Sequence, residues 1–468
     1  MKSKKVVLYP SVPVGHLVPM VELAKQFVRH GISVTIPVMN VRSAPDLVTE
    51  ICNSNIPNIS FHILPQVTLS NPHPVPFVNV FNMMKLNNDS LRSFLVEQSQ
   101  TSPISAVILD MFCVDALDVT SELGIPAYFF TVSGAASVNV YFQLPTYFTT
   151  CSIGPLKDIG KTPLFFHGVP PLPVSHLPHF PNEAFDPEKE QYKLLMNVFN
   201  RLPEGKGILV NSFDSLEPRA VMALKDGLCL PNRSTPPIYC IGPLIAGRDN
   251  KEGQQHPCLS WLDAQPKESV VFLCFGSMSD FPVEQLKEIA VGLENSGQRF
   301  LWVVRSPQNP DPALIFEPTT EPDLDILMPE GFLDRTRDQG LIVKQWAPQV
   351  EVLKHEAVGC FVSHCGSNST LEAVSFGVPM ICWPLFAEQK INKVFLVEEI
   401  KIGIELKGYD EGFVQADELE DKVKWIIGSE GGAELRNRMM KVKESAIKAM
   451  KEGGSSFHAF AEFLECLN

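Results

Sequence analysis

The 468-residue sequence predicts an α/β protein built from two doubly wound units in tandem, their ligand-binding ends facing a central cleft. Three observations carry this. Residues 5–39 read as strand, loop, helix, strand. The same pattern restarts at residue 269 after the polar stretch 245–257, and residues 359–377 give a short apolar strand, a glycine turn and a helix. Short apolar, partly β-branched runs alternating with amphipathic ones are the mark of parallel strands covered by helices.

In order, KVVLYP (5–10) is a strand, SVPVGHL (11–17) a loop, VPMVELAKQFVRHG (18–31) an amphipathic helix stopped by Gly31, and ISVTIPVM (32–39) the next strand. The loop places His16 at the cleft, because ligands bind beyond the carboxyl ends of such strands. SAVILD (105–110) ends in Asp110, which suits either a helix cap or a carboxylate partner for His16. PAYFFTVS (126–133) follows as a strand. Residues 163–183 are Pro-rich and read as a long irregular loop over the cleft or its rim. KGILVNSFDSLE and PPIYCIGPL close a first domain over residues 1–244.

Residues 245–257 are expected to be the interdomain linker, and 258–450 the second domain. There SVVFLCFGS gives strand and turn with Ser277 at the turn, then a helix, and then the strand RFLWVVR. Residues 306–328 are an acidic, Pro-rich insertion. Amphipathic helices end the chain, and residues 451–468 are expected to form a last helix.

A net charge of −14 argues against nucleic acid or an anionic membrane as partner. The eleven cysteines are scattered without a CxxC pair, which points to reduced thiols in a cytoplasmic protein. The uncharged run 123–156 contains Pro126, Pro145, Asn139 and Gln143, so it reads as buried strand and helix and not as a membrane span. No metal site is expected. His167, His176 and His179 lack ligand spacing, and the DxD pair Asp323 and Asp325 lies in the Pro-rich insertion, away from any strand end.

The informative stretch is 346–389, WAPQVEVLKHEAVGCFVSHCGSNSTLEAVSFGVPMICWPLFAEQ. A helix start after a tight turn presents unpaired N–H groups and partial positive charge, a ready anion site. His364, Ser367, Asn368 and Ser369 add donors around it, so a phosphate is the natural guest. Trp346, just past an apolar run, suits stacking on a base. Glu372, one turn into the helix, can reach ribose hydroxyls, and Glu388 with Gln389 can bind a polyol. Base, ribose, diphosphate and polyol together describe a nucleotide sugar.

This segment resembles the PSPG box, the 44-position donor signature of plant family-1 UDP-glycosyltransferases, in length and in residues such as Trp346, Gln349, His364, Gly366 and Glu388. The resemblance implies the GT-B architecture of two Rossmann-like domains, with the C-terminal helix crossing back onto the first domain. It implies that Trp346 stacks on uracil beside Ala347, that Gln349 and Glu372 hold ribose, and that His364, Gly366, Asn368 and Ser369 hold the diphosphate, which Ser277 approaches. Glu388 and Gln389 would hold the sugar, together with Thr131 or Ser133. His16 and Asp110 match the family's base and its orienting carboxylate. The family usually has Trp where this chain has Ser367, which changes the wall beside the sugar.

The implied activity is inverting, metal-independent transfer of glucose from UDP-glucose, without a cofactor, to a small apolar acceptor such as a phenolic or flavonoid. O-transfer is favoured and C-transfer is open, and the protein is expected to be a monomer. The alternatives are a nucleotide-sugar epimerase or a non-catalytic nucleotide-sugar-binding protein. A nicotinamide dehydrogenase is disfavoured, since GxGxxG is missing after the first strand.

Overall fold

A computed structural model describes residues 4–40, 46–150, 162–178, 189–247, 256–278, 281–307 and 320–467. His179, most of the expected linker and the middle of the acidic insertion lie outside these residues.

The first sheet holds seven parallel strands: β1 (Lys5–Tyr9), β2 (Ser33–Val38), β3 (Ile59–Ile63), β4 (Ile104–Asp110), β5 (Ala127–Thr131), β8 (Ile208–Val210) and β9 (Ile238–Cys240). Between β5 and β8, β6 (Pro163–Leu164) and β7 (Leu172–Pro173) pair antiparallel as a separate ribbon. The order in the large sheet is β3-β2-β1-β4-β5-β8-β9. The second sheet holds β10 (Val270–Cys274), β11 (Arg299–Val304), β12 (Gly340–Lys344), β13 (Val358–Ser363), β14 (Met380–Cys382) and β15 (Gly403–Glu405). Its order, β12-β11-β10-β13-β14-β15, repeats that of the first sheet, with every pair parallel. Each order reverses at its first strand, so the crevice of each sheet opens beyond β1 and β4, and beyond β10 and β13.

Strand side chains alternate between faces. Val6 and Leu8 face one apolar layer while Val7 and Tyr9 face the other, and all four are fully buried. The second sheet divides in the same way, Val271 and Leu273 on one side and Val270 and Phe272 on the other. The two units share apolar layers as well: Ile391, Val394 and Phe395 join the core of the first, and Phe213 and Leu216 that of the second.

Two sequence expectations change. The first helix spans Val14–Arg29, so His16 sits in its opening turn and not in a loop. Pro13 precedes the helix in an extended conformation, which a proline readily adopts, and the amide of His16 bonds back to the carbonyl of Pro13. Residues 163–173 form a two-stranded ribbon where an irregular loop was expected. At the DxD pair, Asp323 accepts the amide of Asp325 at 3.1 Å and caps the short helix Leu324–Leu327.

Most of residues 127–144 of the uncharged run is core: Tyr141 and Phe142 are buried, and Tyr141 stacks on Phe199 at 4.5 Å. Among the described residues no helix is long and apolar enough to cross a membrane.

The last helix, Ser455–Glu465, packs on the first unit. Phe463 lies 6.0 Å from Phe27, 5.0 Å from Tyr128 and 5.4 Å from Tyr239, and Ser456 donates to the carbonyl of Gly242 at 2.6 Å. Phe463 is fully buried, so Phe463→Ala is expected to cost about 3–5 kcal/mol and to advance the urea or thermal transition. An unmoved transition would show that this helix does not hold the first unit together.

Candidate active site

Asp110 ends β4 and is fully buried. One carboxylate oxygen accepts the amide of Phe112 at 3.0 Å and the other meets Nδ1 of His16 at 2.7 Å. An ionised carboxylate only accepts, so Nδ1 carries the hydrogen and Nε2 is left with its lone pair. The His16 side chain is 14% exposed, enough for a substrate hydroxyl to reach it. Burial alone would lower its pKa, but the charge and hydrogen bond of Asp110 and the charge of Glu388 more than reverse this and leave it raised. Phe112 packs on the imidazole at 5.1 Å and Phe81 on Phe112 at 5.7 Å. A cavity of about 390 Å³ borders this aromatic pair, its lining mixed: Met84, Val114 and Leu194 are apolar, and Lys85, Asp115, Glu190 and Lys193 are charged.

The second sheet supplies the facing wall. β13 ends at Ser363, the chain turns through His364, Cys365 and Gly366, and the helix Ser367–Phe376 begins with no side-chain cap. Its first N–H groups therefore keep their bonding capacity for an anion. His364 stands between two glycines. A Cβ on Gly276, beyond β10, would lie 2.7 Å from its Nε2, and one on Gly366 only 2.5 Å away. The backbone can approach the imidazole this closely only because both residues lack a side chain. Burial pushes His364 down to about 4, so it is a neutral imidazole at physiological pH. Ser277 is exposed next to Gly276, its carbonyl held by Arg305.

Around this turn the side chains bond to one another. Gln349 donates to Ser369 Oγ at 3.0 Å and to Glu372 at 2.6 Å, joining positions 23 residues apart. Burial, partly offset by the Gln349 bond and reinforced by the charge of Glu351, pushes the Glu372 carboxyl up to about 7. Trp346, two residues past β12, is 48% exposed and meets the ring of His256 edge-on at 6.1 Å, while Ala347 beside it is buried. Ser367 Oγ donates to Glu388 at 2.9 Å, and Gln389 turns its carbonyl to the amides of Leu385 and Phe386. That orientation leaves the Gln389 amino group for a ligand.

The two walls touch. Asn368 donates to the carbonyl of Gly15 at 2.7 Å, across the cleft and next to His16. A base with its orienting carboxylate therefore faces an uncapped helix start flanked by an exposed indole and a polar end. Among the described residues, no three His, Cys, Asp or Glu side chains are grouped to hold a metal ion.

The family model for UDP-glucuronosyl and UDP-glucosyl transferases matches residues 235–430. An anthocyanidin 5,3-O-glucosyltransferase of a Rosa hybrid cultivar is 43% identical, with 99% of each chain covered. The chain belongs to the UDP-glycosyltransferases. A phloretin 2'-O-glucosyltransferase of Malus domestica is also 43% identical over 99% of each chain. Among solved structures, Phytolacca americana UGT2 complexed with UDP-2fluoro-glucose and pterostilbene superposes with a TM-score of 0.87 at 34% identity, covering 99% of this chain and 100% of that one. The fold is the GT-B arrangement of the family.

In this UDP-glycosyltransferase the two hydroxyls expected to contact the sugar are buried. Thr131 and Ser133 are almost fully buried, and Thr131 Oγ1 closes its own turn, accepting the Ser133 amide at 3.1 Å. Sequence reading also passed over Asn392, which donates to Ser367 Oγ at 3.2 Å and to the carbonyl of Cys365 at 2.9 Å. Its place four residues after Glu388, one helical turn, was the available signal.

The raised pKa of Glu372 has a consequence for stability. Folding lifts this carboxyl from 4.5 to about 7, so the folded state holds the extra proton between those values. The stability it contributes is complete below about 4.5 and is lost as pH rises through 7. Glu372→Gln is therefore expected to raise the Tm of the ligand-free protein at pH 8, leave it nearly unchanged at pH 4.5, and weaken UDP binding. Equal Tm shifts at both values would contradict a carboxyl titrating near neutrality.

Proposed function

We propose that the protein transfers glucose from UDP-glucose, with inversion and without a metal ion, to a hydroxyl of a small apolar phenolic or flavonoid acceptor. The observation that carries this is the buried Asp110–His16 pair facing, across one cleft, an uncapped helix start in the donor segment. A binding protein needs no such base, and an epimerase needs no space for a second substrate such as the cavity beside Phe81 and Phe112. The glucosyltransferase relatives and the pterostilbene held by the structural neighbour support a phenolic acceptor.

In this reading Nε2 of His16 takes the proton of the acceptor hydroxyl while Asp110 fixes the tautomer and stabilises the imidazolium. The oxygen attacks the anomeric carbon from the face opposite UDP, and the C–O bond to the diphosphate breaks. Charge then grows on the leaving phosphate. The N–H groups at the start of helix Ser367–Phe376, together with His364, Asn368 and Ser369, meet it. Ser277 approaches the same diphosphate, Trp346 stacks on the base with Ala347 beneath, and Gln349 with Glu372 holds the ribose. Glu388 and Gln389 hold the glucose. Holding acceptor and donor in line supplies much of the remaining rate. One chain provides every group named, so a monomer suffices. The ten free cysteines among the described residues suit the reducing cytoplasm.

Incubation with UDP-glucose and a panel of phenolics, read by mass spectrometry, is expected to give a hexoside that resists neither acid nor glucosidase, as an O-glucoside should. His16→Ala is expected to lower kcat by roughly 10²–10⁴-fold, and Asp110→Asn by a comparable factor. Retention of full activity in His16→Ala would overturn the base assignment.

A further inference from the structure

Ser367 stands at the first position of the donor helix, where the resembled signature usually carries tryptophan. Its hydroxyl is the middle of a relay: Asn392 Nδ2 donates to Ser367 Oγ at 3.2 Å, and Ser367 Oγ donates to Glu388 Oε1 at 2.9 Å. Asn392 is itself fixed, since it also donates to the carbonyl of Cys365 at 2.9 Å. The relay can run in one direction only. An asparagine amino group has no lone pair to offer and a carboxylate no hydrogen, so the serine must accept from the first and donate to the second. One oxygen of Glu388 is thereby pinned, and the rest of the carboxylate is presented in a set orientation. The relay lies at the cleft, since the next residue, Asn368, donates to the carbonyl of Gly15 on the opposite wall at 2.7 Å.

The surroundings of Ser367 are fitted to its small size. Beside it the two units line a small, partly open cavity of about 30 Å³, with Ser367, Thr370, Asn392 and Phe395 from the second unit and Leu216 and Glu217 from the first. That space is room for about one water molecule and far less than an indole needs. Glu217 closes the far side, accepting the amides of Ala135 and Ala136 at 2.9 Å each, so this wall is rigid. The interface has closed around a serine.

We propose that Ser367 is a positioning residue that sets donor-sugar selection: its hydroxyl, held by Asn392, aims the Glu388 carboxylate at a vicinal pair of sugar hydroxyls. This rests on the glucosyl-transfer reading above, in which Glu388 holds the sugar. Misaiming one carboxylate loosens discrimination between sugars that differ at a ring hydroxyl and leaves the grip on UDP nearly unchanged, because at this position the helix start meets the diphosphate through the backbone N–H, which a side-chain substitution keeps.

The test compares wild type, Ser367→Ala and Ser367→Thr with UDP-glucose, UDP-galactose and UDP-xylose as donors, measuring kcat and KM, alongside the Kd of UDP by calorimetry. For Ser367→Ala the kcat/KM with UDP-glucose is expected to fall about tenfold, and the preference for glucose over its epimer to shrink by a similar factor. The Kd of UDP should stay within about twofold. Ser367→Thr keeps the hydroxyl and should restore the preference. An unchanged glucose-to-galactose ratio in Ser367→Ala would overturn the proposal, as would a loss of UDP affinity in step with the rise in KM, the mark of a merely structural role. No transfer by the wild type from any of the three donors, with UDP still bound, would instead overturn the glucosyl-transfer reading itself.

Discussion

The site depends on a hydrogen bond that one helix cannot make. Pro19 lies inside the helix Val14–Arg29 and has no N–H to give to the carbonyl of Gly15, four residues earlier. Leaving a partly buried carbonyl unmatched costs about 1–3 kcal/mol. Here Asn368, from the other domain, donates to it at 2.7 Å. The irregularity that frees the carbonyl thus brings the donor helix against the turn that carries His16, and the two halves of the active site are registered through that contact. Each sheet alone offers a crevice with half of the chemistry. The aromatic wall and base come from the first, and the anion site and polar end from the second.

Within this cleft two imidazoles are held in opposite electrostatic states. His16 lies against a carboxylate, and its pKa is raised; His364 lies between glycine backbones with no carboxylate beside it, and its pKa is pushed down to about 4. The difference divides the labour. A base must take a proton and then tolerate the charge, which Asp110 provides for. In the proposed transfer, a group that meets the diphosphate in the resting site is better neutral: a charged imidazolium would bind the ground state and the departing phosphate alike, while a neutral N–H donor adds most as the charge develops. Both behaviours follow from which side chains reach the rings.

Much of this was legible in the sequence, for identifiable reasons. Strand ends are readable from apolar runs, so Asp110 and His364 could be placed at the mouths of their strands before any coordinates were at hand. The resembled donor signature names Gln349 and Glu372 together as ribose contacts, while the hydrogen bond between them is seen only in the structure. The burial of Thr131 and Ser133 was not legible, because a hydroxyl at a strand end satisfies its own turn as readily as a ligand and only the packing around it distinguishes the two. The helical setting of His16 was hidden by prolines at positions 10 and 13, which read as a loop that the helix follows. The Asn392–Ser367–Glu388 relay joins residues 25 and 21 apart through a turn whose shape no periodicity encodes.

That turn also shows where the fold spends stability. Among the described residues, six non-glycine residues have positive φ, and three of them immediately precede a donor-site residue: Gln345 before Trp346, Cys365 before Gly366 and Ala387 before Glu388. Such conformations cost on the order of 1–3 kcal/mol each and persist only where their surroundings enforce them. The enforcement is visible. The Cys365 side chain is fully buried, its amide bonds Ser363 Oγ at 3.2 Å and its carbonyl receives Asn392. Gln345 donates its amide to the carbonyl of Val304 at 2.7 Å. Ala387 is held between Phe386, whose amide meets the Gln389 side chain, and Glu388, tied to Ser367. A relaxed backbone would turn the following residue away from the cleft at each place. The strain is the local cost of bringing an indole, an anion site and a carboxylate from three separate strand ends onto a single ligand.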